Sequence, residues 1–355
     1  MKKNKFLKHW LSFLLIVCLC SIAYGQQKNQ TIVVSSKEQL VQQKYNDAVA
    51  KYEKGNLAEV PKILDEAIAI NGNFKELYFL LSKVQFENNQ IDEAVKTLQT
   101  CAQILQNKDS AYYLIAFMYY QSNHWDDALT YVNKAITENE KDFKLFNLKG
   151  LIHASMKNFT AAIQDYSKAI ELNGTASEIY ADRGLANYHS GNYPVAVIDF
   201  SEAIKIKALP PYYNNRAIVK TAMQSYKEAI EDCSKAIDLD PVFYDAYNNR
   251  GLAHLAAGDL YEALNEFDTY IKYNPTQYKG YNYRGITFNY LGEYEKAVSD
   301  FDKSIELNQN DAEAYLNRGN TKELMRDPAG ACQDWKMAAK LGSKNAENYA
   351  EKNCK

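Results

Sequence analysis

The chain has 355 residues, of which 46% are hydrophobic and 24% charged, and a formal net charge of −3. That balance excludes a disordered or collagen-like polymer and suits two or three compact domains or one extended array. The weak negative charge argues against nucleic acid or an anionic membrane as partner.

The first element in the chain is a leader. Lys2, Lys3, Lys5 and Lys8 precede the apolar run LSFLLIVCLCSIA, and Ala23-Tyr24-Gly25 meets the small-x-small rule for cleavage. A signal peptide is therefore expected over 1–25, with a lead-in over 26–40. The run is too short for a stable spanning helix, and an uncleaved anchor is the alternative. A lipoprotein signal fits less well, because Val17 and Leu19 precede Cys18 and Cys20 where a small residue belongs. Cleavage removes the four lysines and takes the net charge four units down, to −7. No later segment is apolar enough to span a bilayer. Export implies an oxidising compartment for the remaining Cys101, Cys233, Cys332 and Cys354.

One period then runs from 41 to 342. A small residue recurs at Ala48, Ser82, Ala116, Gly150, Gly184, Ala217, Gly251, Gly285 and Gly319, at spacings of 34 with a single 33. Sixteen residues beyond each lies Leu64, Leu98, Val132, Tyr166, Phe200, Cys233, Phe267, Phe301 or Trp335. Four before it lies an aromatic in eight units, from Tyr78 to Tyr315, and another small residue follows twelve after it. These spacings are helical. Each unit reads as two helices of about 13 residues around a turn such as Gly191-Asn192 or Gly258-Asp259. A lone helical hairpin cannot bury its second face, so the units must stack. The aromatics before the small residue read as core filling.

This unit resembles the tetratricopeptide repeat, and nine copies cover nearly all of the mature chain. The resemblance implies an all-α solenoid, a right-handed superhelix of antiparallel helix pairs, with helix A of each pair on the concave side. It implies a scaffold for proteins or peptides. Departures cluster in the first three units: Lys44 replaces the aromatic, Val60 an alanine and Cys101 a small residue. Residues 343–355 read as a capping helix and tail, more polar than a repeat helix, as a solenoid end must be.

Charges travel in couples. With the small residue numbered 8, position 7 is Lys149, Arg183, Arg216, Arg250, Arg284 and Arg318 in units four to nine. Position 23 is Asp165, Asp199, Asp232, Glu266, Asp300 and Asp334 in the same units, and units one to three lack both members. A lone charge beside the helix crossing would be costly to desolvate, so a ladder of salt bridges from helix A to helix B is expected. Pairing within a unit uses all six couples, and pairing to the next unit would leave two ends over. The alternative is that the arginines face the groove and take acidic ligands.

The resemblance places positions 2, 5, 6, 9, 12 and 13 of helix A in the groove. Position 6 carries Asp182, Asn215, Asn249, Tyr283 and Asn317, and nearby candidates are Asn214, Asn248, Asn282, Asn320, Tyr188, His189 and Tyr290. Amides can donate and accept, which suits an extended peptide backbone. The alternative is a solvated polar face. The Lys/Asn clamp of chaperone-binding relatives is missing.

Catalysis is not expected. His153 and His254 share position 11 and read as packed histidines, and no nucleophile, phosphate-loop, dinucleotide or zinc signature occurs. No cofactor or metal is expected. Cys101 and Cys233 fall on core stripes. Cys332 and Cys354 flank the turn before the last helix at equal distance, so a disulfide is expected there, with two free thiols as the alternative. The leading function is a non-catalytic, exported scaffold, periplasmic, envelope-associated or secreted, that binds a protein or extended peptide in its groove. An accessory subunit of a separate envelope enzyme or transport system, and a carbohydrate or small-ligand binder using groove tyrosines, are the alternatives.

Overall fold

A computed structural model describes residues 36–354. The expected signal peptide, residues 26–35 of the lead-in, and Lys355 lie outside the described residues. The first helix, α1 (Ser36–Glu53), begins inside the expected lead-in. Among the described residues no helix is long and apolar enough to cross a membrane.

Two compact units divide between Leu105 and Gln106. The first holds α1, α2 (Val60–Ile70), α3 (Lys75–Glu87) and α4 (Ile91–Ile104). The second holds α5 (Asp109–Gln121), α6 (Trp125–Glu138), α7 (Phe143–Ser155), α8 (Phe159–Leu172), α9 (Ser177–His189) and α10 (Tyr193–Ile206). It continues through α11 (Pro210–Ala222), α12 (Tyr226–Leu239), α13 (Tyr244–Ala257), α14 (Leu260–Tyr273), α15 (Tyr278–Tyr290) and α16 (Tyr294–Leu307). It ends with α17 (Ala312–Leu324), α18 (Pro328–Lys340) and the single helix α19 (Lys344–Asn353).

Odd-numbered helices up to α17 are the A helices and their even-numbered successors the B helices. In the second unit each A helix packs on its own B helix and on the neighbouring A helices, and from α7 onward also on the B helix before it. No B helix packs on another B helix to a comparable extent. The A helices therefore form the tighter layer.

Each pair turns through one left-handed residue at position 15: Gly55, Gly191, Gly258 and Gly292, but also Asn89, Asn123, Lys157, Gln224 and Arg326, with φ of 61–63°. The non-glycine residues accept a conformation that costs an L-residue about 1–2 kcal/mol. The tight link between the two helices sets that conformation whatever the residue.

The helix crossing follows a volume rule. Where position 8 is glycine, position 24 is an aromatic: Gly150 with Tyr166, Gly184 with Phe200, Gly251 with Phe267, Gly285 with Phe301, Gly319 with Trp335. Where position 8 is alanine or serine, position 24 is smaller: Ala48 with Leu64, Ser82 with Leu98, Ala116 with Val132, Ala217 with Cys233. A Cβ on Gly251 would lie 2.7 Å from Phe267 Cε1, and one on Gly285 2.8 Å from Phe301 Cε1. The ring occupies the space that the missing methyl leaves.

The core assignment of the preceding aromatics holds for the buried Tyr78 and only in part further on, where Tyr180 and Tyr315 pack against core clusters without being buried. In units five to nine, Tyr180, Tyr213, Tyr247, Tyr281 and Tyr315 are half-buried. An arginine guanidinium lies over each ring, at 5.7, 5.6, 5.5, 5.7 and 5.4 Å from its centre. The planar cation needs a flat apolar neighbour that tolerates its charge, which a ring face provides. The side chain buried at the crossing is the aromatic at position 24.

Candidate partner-binding face

Position 7 lies one residue before the crossing, so its side chain leaves helix A toward helix B. Each base meets the acid of its own pair. Lys149 Nζ is 3.7 Å from Asp165, and arginine nitrogens reach Asp199 at 2.6 Å, Asp232 at 2.6 Å, Glu266 at 2.9 Å, Asp300 at 2.7 Å and Asp334 at 2.5 Å. Asp199, Asp232 and Asp334 are buried, and Arg216 donates through Nε and Nη2 in a fork onto Asp232.

The remaining Nη1 of each arginine reaches back to position 25 of the preceding B helix. It donates to Ser167 at 3.1 Å, Ser201 at 2.9 Å, Ser234 at 3.0 Å, Asp268 at 2.6 Å and Asp302 at 2.5 Å. The ladder thus joins three helices per rung and ties consecutive pairs together. The Asp300 hydrogen bond, with Asp268, holds the Arg284 guanidinium above its ordinary pKa against the opposing effect of burial. It stays charged at any physiological pH.

Position 11 completes the rungs. His153 Nδ1 lies 2.6 Å from Asp165, Asn187 donates to Asp199 at 2.9 Å, and Lys220 and Lys322 reach Asp232 and Asp334 at 2.7 and 2.8 Å. The two histidines are packed, as expected, and each meets a carboxylate: His153 pairs with the ladder acid, and His254 Nδ1 lies 3.2 Å from Asp259. In unit seven Glu266 replaces aspartate, and Arg250 Nε is buried without a partner.

The expected groove residues separate into three groups. Asn214 and Asn282 are buried, not free to face a partner. Each accepts from the position-6 asparagine of the next A helix, Asn249 at 2.8 Å and Asn317 at 3.2 Å. These amides rivet the A layer, because an amide satisfies another amide as well as it satisfies a peptide. Asn320 accepts from Trp335 Nε1 at 2.9 Å, and Tyr283 packs its ring on Phe267 at 5.9 Å. Tyr188 lies against His189 and Tyr193, and the exposed His189 stacks on Phe159 at 5.0 Å. Asp182 and Asn215 are partly exposed on the A layer, and Tyr290 is 71% exposed. Asn248 Oδ1 is buried with no hydrogen-bond partner, as is Asn147 Oδ1 in α7.

The cysteines divide in two. Cys332 and Cys354 form a disulfide with Cα atoms 5.5 Å apart, fixing α19 to α18. Cys101 and Cys233 are free and buried, and burial pushes both thiols up to about 12. Alkylation of the native, non-reduced protein is therefore expected to label neither. Denaturation exposes these two, and reduction adds Cys332 and Cys354, as intact-mass measurement would register. Reduction alone should remove roughly 3 kcal/mol of stability, the closure entropy of a loop this long. Labelling of Cys332 and Cys354 in the native, non-reduced protein would disprove the staple.

The tetratricopeptide repeat model matches residues 143–175 and 278–311, a TPR repeat model 219–258, and a second tetratricopeptide repeat model 244–277. The model for anaphase-promoting complex, cyclosome, subunit 3 matches residues 42–135. No curated protein matches the chain in sequence. Among solved structures, a tetratricopeptide repeat protein from Parabacteroides merdae aligns over 70% of this chain and 99% of its own, with 16% identity and a TM-score of 0.61. The APC/C hetero-tetramer Cut9-Hcn1 aligns over 84% of this chain and 59% of its own, with 13% identity and a TM-score of 0.56.

Proposed function

The chain belongs to the tetratricopeptide repeat family, a scaffold for protein–protein interaction, and from that premise we propose that it is an exported scaffold that holds a partner protein, through an extended segment, on the A layer of units five to nine. One observation carries this reading. The A helices expose large apolar side chains that no packing consumes: Leu185 at 37%, Leu324 at 56% and Tyr290 at 71%. Tyr290 and Leu324 hold the same position in consecutive pairs, so they extend one surface from α15 to α17. Apolar anchors among part-exposed amides are the composition of a protein-binding face. The arginines do not compete for that role, because the ladder occupies them.

Export rests on the lysine-rich start, the apolar run and the Ala23-Tyr24-Gly25 site. It also suits a disulfide. The mature protein is expected to begin at Gln26, as intact mass from the native source would show. Retention of Met1 would refute cleavage.

A photo-crosslinking residue at 290 tests the binding face. It should capture a discrete partner band from the native envelope fraction, and Leu324→Ser should weaken capture at least fivefold. The same residue at 262, on the outside of α14, should capture none. Equal capture from both positions, or none from 290, would refute this face.

A further inference from the structure

The A layer of units five to nine is short of positive charge. Its A helices carry Glu178, Asp182, Asp245, Glu313 and Glu323 against one lysine off the ladder face, Lys279. Every arginine on these helices is paired with a B-helix carboxylate. Among the described residues, the exposed side chains of Glu178, Asp245 and Glu313 make no ion pair. These three hold the same position in units five, seven and nine.

Their orientation follows from the asparagine rivets. Asp245 precedes Asn249 by four residues, and Glu313 precedes Asn317 by four, so each shares a helix face with an amide. Those amides reach the neighbouring A helices, which sets the carboxylates along the A–A seam. Burial, then the neighbouring Asp311, pushes the Glu313 carboxyl up, with Lys279 pulling the other way. That carboxylate gains from any added cation.

Amides share this face with the carboxylates. Asn249 and Asn317 each spend one N–H on the preceding A helix, which leaves each side chain a second N–H and its carbonyl oxygen for a ligand.

We propose that the segment held on this face is cationic, an extended stretch of a partner protein whose lysine or arginine side chains meet Glu178, Asp245 and Glu313 while its backbone N–H groups meet the amide oxygens. The proposal rests on the A-layer reading above and specifies its partner chemistry. Ammonium and guanidinium groups are donors only, which matches carboxylates that lack an ion-pair partner. Apolar residues between the cations would meet Leu185, Tyr290 and Leu324. Charge complementarity of this kind sets partner choice and association rate more than raw affinity.

Three fluorescein-labelled peptides test it by anisotropy at 0.15 M salt: four Lys-Leu-Ser triplets, and the same sequence with Gln or with Glu for every Lys. The Lys peptide should bind at least tenfold more tightly than the Gln peptide, and the Glu peptide least. The triple variant Glu178→Gln, Asp245→Asn, Glu313→Gln should lose about tenfold for the Lys peptide and nothing for the Gln peptide. Its melting temperature should match wild type, because these carboxylates are unpaired. Equal binding of the Lys and Gln peptides, an unchanged triple variant, or no binding of the Lys peptide would each overturn the cationic partner. The binding face is judged separately, by capture from position 290, which does not depend on the sign of the partner's charge.

Discussion

Asp232→Ala is expected to lower the melting temperature on the order of 10 °C, a loss of about 3–5 kcal/mol. Asp232 is buried and accepts the Arg216 fork at 2.6 and 2.8 Å, with Lys220 at 2.7 Å. Its removal leaves two cations at a largely desolvated site, and an uncompensated buried charge costs more than the pair contributed. Removing both partners should behave differently. Arg216→Met with Asp232→Leu, and Lys220 free to swing into solvent, should recover most of the loss. Salt should rescue the single variant little, because buried charges are weakly screened. Thermal unfolding followed by circular dichroism measures all three. A single variant that melts like wild type but loses its partner would return Arg216 to a binding role.

The sequence made the period legible because every pair must solve the same crossing, so small residues at position 8 recur nine times. The ladder was legible because basic and acidic residues appear together from Lys149 onward and are both absent before it. What stayed hidden depends on neighbours that periodicity does not name. Ser167, Ser201 and Ser234 look like ordinary surface serines, yet each accepts from the arginine of the next pair. Asn214 looked like a groove residue because its partner, Asn249, lies 35 positions on and belongs to another helix. Tyr247 looked like core because tyrosine is apolar enough to bury. The Arg250 guanidinium above its ring holds that residue at half-burial instead. The turns at Lys157-Asn158 and Arg326-Asp327 are legible from the period, but their left-handed conformation is not, since the link imposes it without the residue that prefers it.

The crossing gives the second large effect, and the chain contains its own control. Phe267→Ala should cost about 3–5 kcal/mol, since the fully buried ring leaves a cavity that two packed helices cannot collapse to fill. Gly251→Ala should also destabilise, by about 1–3 kcal/mol, although alanine is the better helix former. The new methyl would meet Phe267 Cε1 at 2.7 Å and Glu266 Cβ at 3.1 Å, and this overlap outweighs the gain in propensity. The two sites should then compensate. Ala48 with Leu64 shows that a methyl on helix A suits a leucine on helix B, and both are fully buried. Gly251→Ala with Phe267→Leu rebuilds that arrangement in unit seven. Its cost should fall below the sum of the single variants by about 1 kcal/mol or more, the range seen for residues in direct contact. Urea unfolding of the four proteins gives the coupling directly. Strict additivity would mean that Gly251 is kept for its backbone and not for the ring. The φ of Gly251 is not in the left-handed region, so packing is the reason that the structure supplies.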